Sequence, residues 1–416
     1  MKLNAVIPMS TLDPRDPLDD LSWLDGLVGD ARVVAIGESS HYNGETYRLR
    51  HRIQRYLHER HGFSLYAMET GYVESQRVQA WLDGGGDLGD VQANGFTGLM
   101  GLWTEMGDHL RTLGRFSGID LPGSNANLGP GLEAVAAYLR SVGYEVDPKL
   151  RESASYGAIS PFSAPAAVAA YAQLDDKDAF TASLSRLQTH LAASRADYEK
   201  ITGRAAYERA LRAMSLTMTL DAVAHEAANG NMNAVMLYRD AAIADTVEHL
   251  LRNEDRIIVA AHNGHIQRHK GTLPGMGPIT PMGLHLANRL GDAYVPIGVT
   301  TGGGKALTNG PEFYAGTLFS DLGDPDPETL DGVMAASHDG LFAVDLKSLG
   351  DEDRDTLNAV TRQRFGFYDC DIDVLRAYDA LIHLPSVSPA HPDADALAHS
   401  PEEVQKAFAV WAGSTS

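Results

Sequence analysis

Short apolar runs separated by long amphipathic stretches recur along the chain, the pattern of an α/β protein with a largely parallel sheet. Seven runs read as strands: Val33–Ile36, Phe63–Met68, Ser117–Leu121, Ile257–Ala261, Tyr294–Val299, Leu341–Leu346 and Ala380–Leu384. They are continuous rather than alternating, as expected where helices cover both faces of a sheet. Gly44–His61 reads as a helix, with Leu49, Ile53 and Leu57 forming a buried stripe and Arg48, Arg52 and Arg55 on another face. Gly62, free to take a positive φ, ends it. From 131 to 251 the pattern changes to alanine, leucine and paired charges without a convincing strand, which predicts a helical lobe inserted between the third and fourth core strands. Within it, 182–228 is long enough for a projecting helical hairpin. The expected division is a first part of the α/β core at 1–130, the lobe at 131–251, and a second part of the core at 252–416. The glycine-rich stretches Gly84–Gly86 and Thr300–Lys305 read as loops, and the tail from Gly413 as frayed.

Composition narrows the function. With 34 basic and 55 acidic residues in 416, the net charge of −21 would repel phosphates, so neither nucleic acid nor an anionic membrane is an expected partner. A single cysteine, Cys370, leaves no intrachain disulfide framework and no cysteine-rich zinc site. The N-terminal residues, with one lysine and an apolar stretch cut by Pro8, do not read as a signal peptide, and no apolar run is long enough to span a membrane. The expectation is a cytoplasmic globular protein, monomer or homodimer, acting on a small molecule.

Several familiar signatures fail. No GxSxG elbow is present. His225-Glu226 is followed by Asn229 where a zinc-protease helix needs its second histidine. Gly84, Gly86 and Gly89 satisfy GxGxxG but follow a helix, and Lys305 is followed by Ala306 instead of the hydroxyl residue of a phosphate loop. What remains is a set of chemically capable residues at the ends of the expected strands. The first strand runs into Glu38 and His41, the second ends at Glu69, the third at Asp120, and the fourth runs into His262-Asn263-Gly264-His265. In an open parallel sheet, ligands bind beyond the carboxyl ends of the strands. Carboxylates beside histidines fix imidazole tautomers and raise ring basicity, as a general base working near neutrality requires. Arg48 and Arg50, on the helix after His41, would add positive charge to the same mouth, where an arginine can hold a substrate oxygen or a developing oxyanion. Glu38, His41, Glu69, His262 and His265 are also ligand types that zinc or manganese accepts.

The stretch from Val33 to His41, followed by Glu45-Thr46-Tyr47-Arg48-Leu49-Arg50, resembles the opening motif of the erythromycin esterase family. His61-Gly62-Phe63 leading to Met68-Glu69, Gly118-Ile119-Asp120, Tyr238-Arg239-Asp240, Ala261 to Ile266, and Pro281 to Leu286 through Pro296-Ile297-Gly298 are similar in consistent order, over 30–385. The resemblance implies an α/β core with helical additions over a deep cleft, and hydrolysis of a lactone, as of macrolide antibiotics, without a serine nucleophile or a cofactor. By motif, His41 would be the base that activates water and Glu38 and Glu69 would orient it. Arg50, His262 and His265 would line the site and bind or polarise the ester, the two histidines within the catalytic set, and Arg48, Asp120, Arg239 and Asn263 are further expected substrate contacts. Should a divalent metal be used, His41, Glu69, His262 and His265 are its expected ligands. The chain departs from the family pattern at Ile243 and Thr246, at Ser39-Ser40, and at Tyr42-Asn43 where glycine is usual, which bears on pocket shape more than on base chemistry. Two other functions use the same residues: elimination or acyl transfer on a natural product in a biosynthetic pathway, and non-catalytic sequestration of a small molecule.

Overall fold

A computed structural model describes the chain apart from residues 124–126, 157–163, 273–274, 309–311, 313–315 and 415–416. Its centre is a mixed, mostly parallel sheet. The strands are β1 (Ile7–Pro8), β2 (Val33–Ile36), β3 (Leu65–Gly71), β4 (Phe116–Asp120), β5 (Ile257–Ala260), β6 (Tyr294–Leu307), β7 (Phe319–Asp321), β8 (Phe342–Asp345) and β11 (Ala380–Val387), in the order β1-β8-β11-β6-β2-β5-β3-β4 with β7 on β6. The run from β11 through β6, β2, β5 and β3 to β4 is parallel, and β8 is antiparallel to β11. A separate two-stranded ribbon is made by β9 (Arg362–Phe365) and β10 (Tyr368–Asp371).

The continuous apolar strands are buried on both faces for the expected reason. Val34 and Ile36 of β2 pack in one cluster with Leu49, Ile53 and Leu57 of the helix Gly44–His61, whereas Val33 and Ala35 pack in another with Ile243 and Val247 of the helix Met232–Leu250 and Met282 and Leu286 of the helix Met282–Leu290. Gly62 caps the first of these helices at φ +69°, its N–H reaching the Leu57 carbonyl.

All seven sequence-read strands are present, and two other expectations change. Thr300–Lys305 is not a loop but the second half of β6, whose glycines let its backbone lie against β11, since a Cβ at Gly302 or Gly304 would collide with the Pro385 or Val387 carbonyl. Arg52 is not on an open polar face. Its side chain is fully buried, bonded to Asp20 and to the Asp13 and Pro17 carbonyls of the N-terminal segment that covers it. His51 on the same helix is buried too, stacked on His109 with ring centroids 4.4 Å apart. Of the tail, 415–416 lie outside the described residues, and the helix Glu402–Ser414 runs up to them.

Between β4 and β5 the elements among the described residues are all helices, from Gly129–Ser141 to Met232–Leu250. The long helices Lys177–Ala193 and Arg204–Ala228 pack on each other, with the short Arg195–Thr202 between them in sequence. Leu132, Tyr171, Leu184, Tyr207, Met214 and Leu220 lie in an apolar cluster distinct from the two at the sheet. The last helix joins both regions: Val235 and Ala242 belong to the lobe cluster, Ile243, Ala244 and Val247 to the sheet cluster. Among the described residues no helix is long and apolar enough to cross a membrane.

Candidate active site

Four neighbouring parallel strands, β2, β5, β3 and β4, end at one mouth, which opens into a cleft of about 620 Å³. After β2 the chain enters Gly37-Glu38-Ser39-Ser40-His41. Gly37 has no room for a side chain because the Asn263 carboxamide fills that space. Glu69 lies inside β3 at an irregularity: Met68 pairs with Gly118 but Gly71 with Asp120, so β3 uses one residue more than β4. Such a bulge re-aims side chains, and it requires Gly118, where a Cβ would meet the Thr70 and Gly71 carbonyls. Asp120 closes β4, and His262 and His265 sit on the short turn of helix after β5.

Glu38 is a buried carboxylate with two cationic partners. His41 Nδ1 lies 2.7 Å from its Oε1 and Arg50 Nη1 3.1 Å from its Oε2. Burial opposes its ionisation, but Arg50 and His41 outweigh that and hold its pKa below the usual carboxylate value. The converse acts on His41: burial disfavours the imidazolium, yet Glu38, and Glu69 behind it, raise the ring above its ordinary value. With Nδ1–H committed to Glu38, the Nε2 lone pair of this partly exposed ring has no protein partner among the described residues.

The other two cleft histidines are fully committed. His262 Nε2–H donates to the Ser39 carbonyl at 3.2 Å, and Nδ1 accepts from Gly264 N–H at 3.1 Å. Burial, helped by His41, pushes its pKa down to about 4, so the ring is neutral. Its edge meets Phe365 of β9 at 4.8 Å between centroids, and His41 at 5.5 Å. His265 is the opposite case. Burial disfavours its charge, but Asp240, 2.8 Å from Nδ1, and Glu69, 3.2 Å from Nε2, push its pKa up to about 10. Glu69 therefore accepts from three donors: His265, Arg239 Nη2 at 3.0 Å, and the His262 backbone N–H at 2.7 Å. Despite burial, these cations hold Glu69 well below the usual carboxylate range. Arg239 also donates to Asp120, and its Nη1 lies 3.2 Å from His265 Nε2.

The structure thus brings together Glu38, His41, Glu69, Asp120, Arg239, His262 and His265. Three expected substrate contacts are placed elsewhere. Arg50 is buried behind Glu38, its guanidinium bonded also to the Ile36 and Ala261 carbonyls. Arg48 pairs with Glu45 at 3.2 Å and does not line the cleft. The buried Asn263 amide bridges to both the N–H and the carbonyl of Val299, tying β5 to β6. The expected metal set also changes. The ligand atoms that lie within 4.8 Å of one another belong to Glu38, His41 and Glu69, and both nitrogens of His262 and of His265 are engaged elsewhere. Sequence reading missed Asp240, which orients His265, although it directly follows Arg239. It also missed the ribbon residues Phe365 and Tyr368 in the cleft wall. Because Arg50 is the cation that compensates buried Glu38, Arg50→Gln is expected to cost about 3–5 kcal/mol. A urea melt midpoint unchanged from wild type would contradict that coupling.

The lobe supplies an apolar wall, with Val168, Leu220, Val223, Met232, Val235 and Met236 facing the charged floor. A parallel sheet that delivers a carboxylate-oriented histidine to such a cleft has the form of an enzyme active site, and comparison with known proteins gives the class: an esterase-type hydrolase. The family model for erythromycin esterase matches residues 58–387, so the turn bearing Glu38 and His41 precedes the matched segment. Erythromycin esterase type II of Escherichia coli is 30% identical over 324 residues, 74% of this chain and 77% of that protein. Erythromycin esterase type I of Escherichia coli is 27% identical over 290 residues, 65% of this chain and 71% of that one. The chain belongs to the erythromycin esterase family. Solved structures share the fold at lower identity. A Bacillus cereus protein superposes with a TM-score of 0.76 at 20% identity, covering 94% of this chain and 97% of its own. A mutant of the erythromycin esterase EreC in its open conformation gives 0.74 at 21%, covering 91% and 97%.

Proposed function

We propose that the protein opens a lactone or related ester by direct attack of water, with His41 as the general base. One observation carries this reading: of the three histidines in the cleft, His41 alone has a ring nitrogen without a partner among the described residues. Nε2 takes a proton from water as its oxygen bonds to the carbonyl carbon. The charge that develops on the carbonyl oxygen faces Arg239 Nη1 and the His265 cation, each already held in place and needing no reorganisation. As the C–O bond breaks, the His41 imidazolium returns the proton to the departing alkoxide. Glu38 fixes the tautomer and Arg50 fixes Glu38, so Arg50 is a positioning residue. Glu69 and Asp120 hold the cations, and His262 braces the Ser39 turn. The apolar lobe wall suits the hydrocarbon of a small-molecule substrate and limits water around the reacting bond.

Turnover of a lactone in ¹⁸O-labelled water is expected to place one label in the product carboxylate. An unlabelled acid, or an alkene in its place, would replace hydrolysis by acyl transfer or elimination at the same residues. A metal-assisted reading is favoured by a specific observation, the approach of Glu38, His41 and Glu69 ligand atoms to within 4.8 Å. Elemental analysis with activity before and after chelation separates the two, the proposed route expecting full activity without bound metal.

A further inference from the structure

Among the described residues Tyr42 is the one non-glycine residue with a positive φ, at +64°, and it directly follows His41. A bulky side chain is a rare occupant of that region, which glycine enters without steric penalty. Were only the turn needed, the ring would be superfluous, so its retention points to work done by the ring. The ring stacks on the buried Trp103, with centroids 5.5 Å apart and planes at 29°. Its hydroxyl accepts the Leu99 N–H at 3.3 Å, and a side chain at Gly98 would crowd that hydroxyl. Its carbonyl accepts the Ala390 N–H. Tyr42 thereby ties the turn bearing His41 to the loop that includes Thr97, Gly98 and Met100. All four residues line the cleft, with the Tyr42 ring 5.7 Å from that of His41.

Resting on the hydrolytic reading above, we infer that Tyr42 is a specificity-determining residue whose ring closes the cleft beside the attacking water and admits esters with a compact acyl group. The first carbon of the acyl substituent is bonded directly to the carbon under attack, whereas on the alcohol side the ester oxygen stands between that carbon and the first carbon of the alcohol. The acyl substituent is therefore the part of the substrate that the ring next to His41 meets first, at the approach of roughly 3–3.5 Å that a reacting pair needs.

The test compares Tyr42→Gly, which keeps the turn and removes the ring, with Tyr42→Phe, which keeps the ring. Tyr42→Asn, tolerant of the left-handed backbone, replaces the glycine variant should that not fold. The readout is kcat/KM for p-nitrophenyl cyclohexanecarboxylate relative to p-nitrophenyl acetate. The ratio is expected to rise about tenfold or more in Tyr42→Gly and to stay near wild type in Tyr42→Phe. The same discrimination is read without turnover from the dissociation constants of cyclohexanecarboxylate and cyclopropanecarboxylate, followed through the His41 ring resonance. If wild type hydrolyses neither ester yet the glycine variant relaxes size discrimination in binding, the inference stands and the hydrolytic reading falls. If the esters are hydrolysed and both rankings are the same in folded Tyr42→Gly as in wild type, the ring does not set specificity and the inference is overturned.

Discussion

His41→Ala is expected to lower kcat by about 10²–10⁴-fold, the range that a positioned general base supplies, while leaving the melting temperature near that of wild type. The stability arm follows from the site: the ring borders the open cleft, so its removal enlarges the cleft rather than leaving an enclosed void, although Glu38 keeps only Arg50 as its counter-charge. The pH arm is sharper. A base works only when neutral, and His41 is raised above its ordinary 6.5 by Glu38. Wild-type kcat/KM should therefore fall with decreasing pH through an apparent pKa above 6.5. In Glu38→Gln the carboxylate that raises the ring is gone, so the same limb should move to lower pH even as turnover drops. A limb that stays in place on that substitution would assign the titration to another group, and full activity in His41→Ala would end the mechanism.

A large stability effect is expected at Glu69, which accepts from Arg239, His265 and the His262 backbone at once. Glu69→Gln removes the buried anion between the Arg239 and His265 cations and should cost about 3–5 kcal/mol. The loss depends on pH in a direction that linkage fixes. Glu69 is depressed in the folded state, so its contribution is present above its unfolded value near 4.5 and is lost as pH falls through the folded value. His265 is raised to about 10, so its contribution is full below its unfolded value near 6.5 and is lost as pH climbs towards 10. The difference between wild type and Glu69→Gln should accordingly be greatest between pH 4.5 and 6.5 and shrink on both sides. Denaturant melts across pH give it directly, and two parallel stability curves would show that the charges are not coupled.

What could be read from the chain, and what could not, follows from the range of the interactions involved. Strands such as Val33–Ile36 and Ile257–Ala260 announce themselves because burial on both faces demands unbroken apolar runs, and their order places Glu38, Glu69, Asp120 and His262 at one end of the sheet. The individual fates of the histidines were not legible. His41, His262 and His265 look alike in sequence, yet a backbone carbonyl neutralises the role of one, Asp240 charges another, and the third is left open. The first two outcomes depend on contacts between residues more than twenty positions apart. Arg50 was misplaced because a cation on the helix after His41 suits a substrate oxygen and a buried carboxylate equally well until geometry decides. The β9–β10 ribbon escaped notice because its strands are four residues each and polar, with an aromatic pair at the turn. The Gly-rich half of β6 misled for the reason that glycine usually breaks strands, whereas here its bareness is what brings β11 close.

The helix Met232–Leu250 gives the molecule a seam. From Val235 to Ala242 it is rooted among the lobe residues and from Ile243 in the sheet, with Arg239 and Asp240 just before the change. Among the described residues the helices before it contribute apolar wall and no charged side chain to the cleft, so substitutions there are expected to reshape the cleft without touching its charged floor. The seam helix itself cannot be recast so freely, because any shift of it would misalign the cations that the chemistry rests upon.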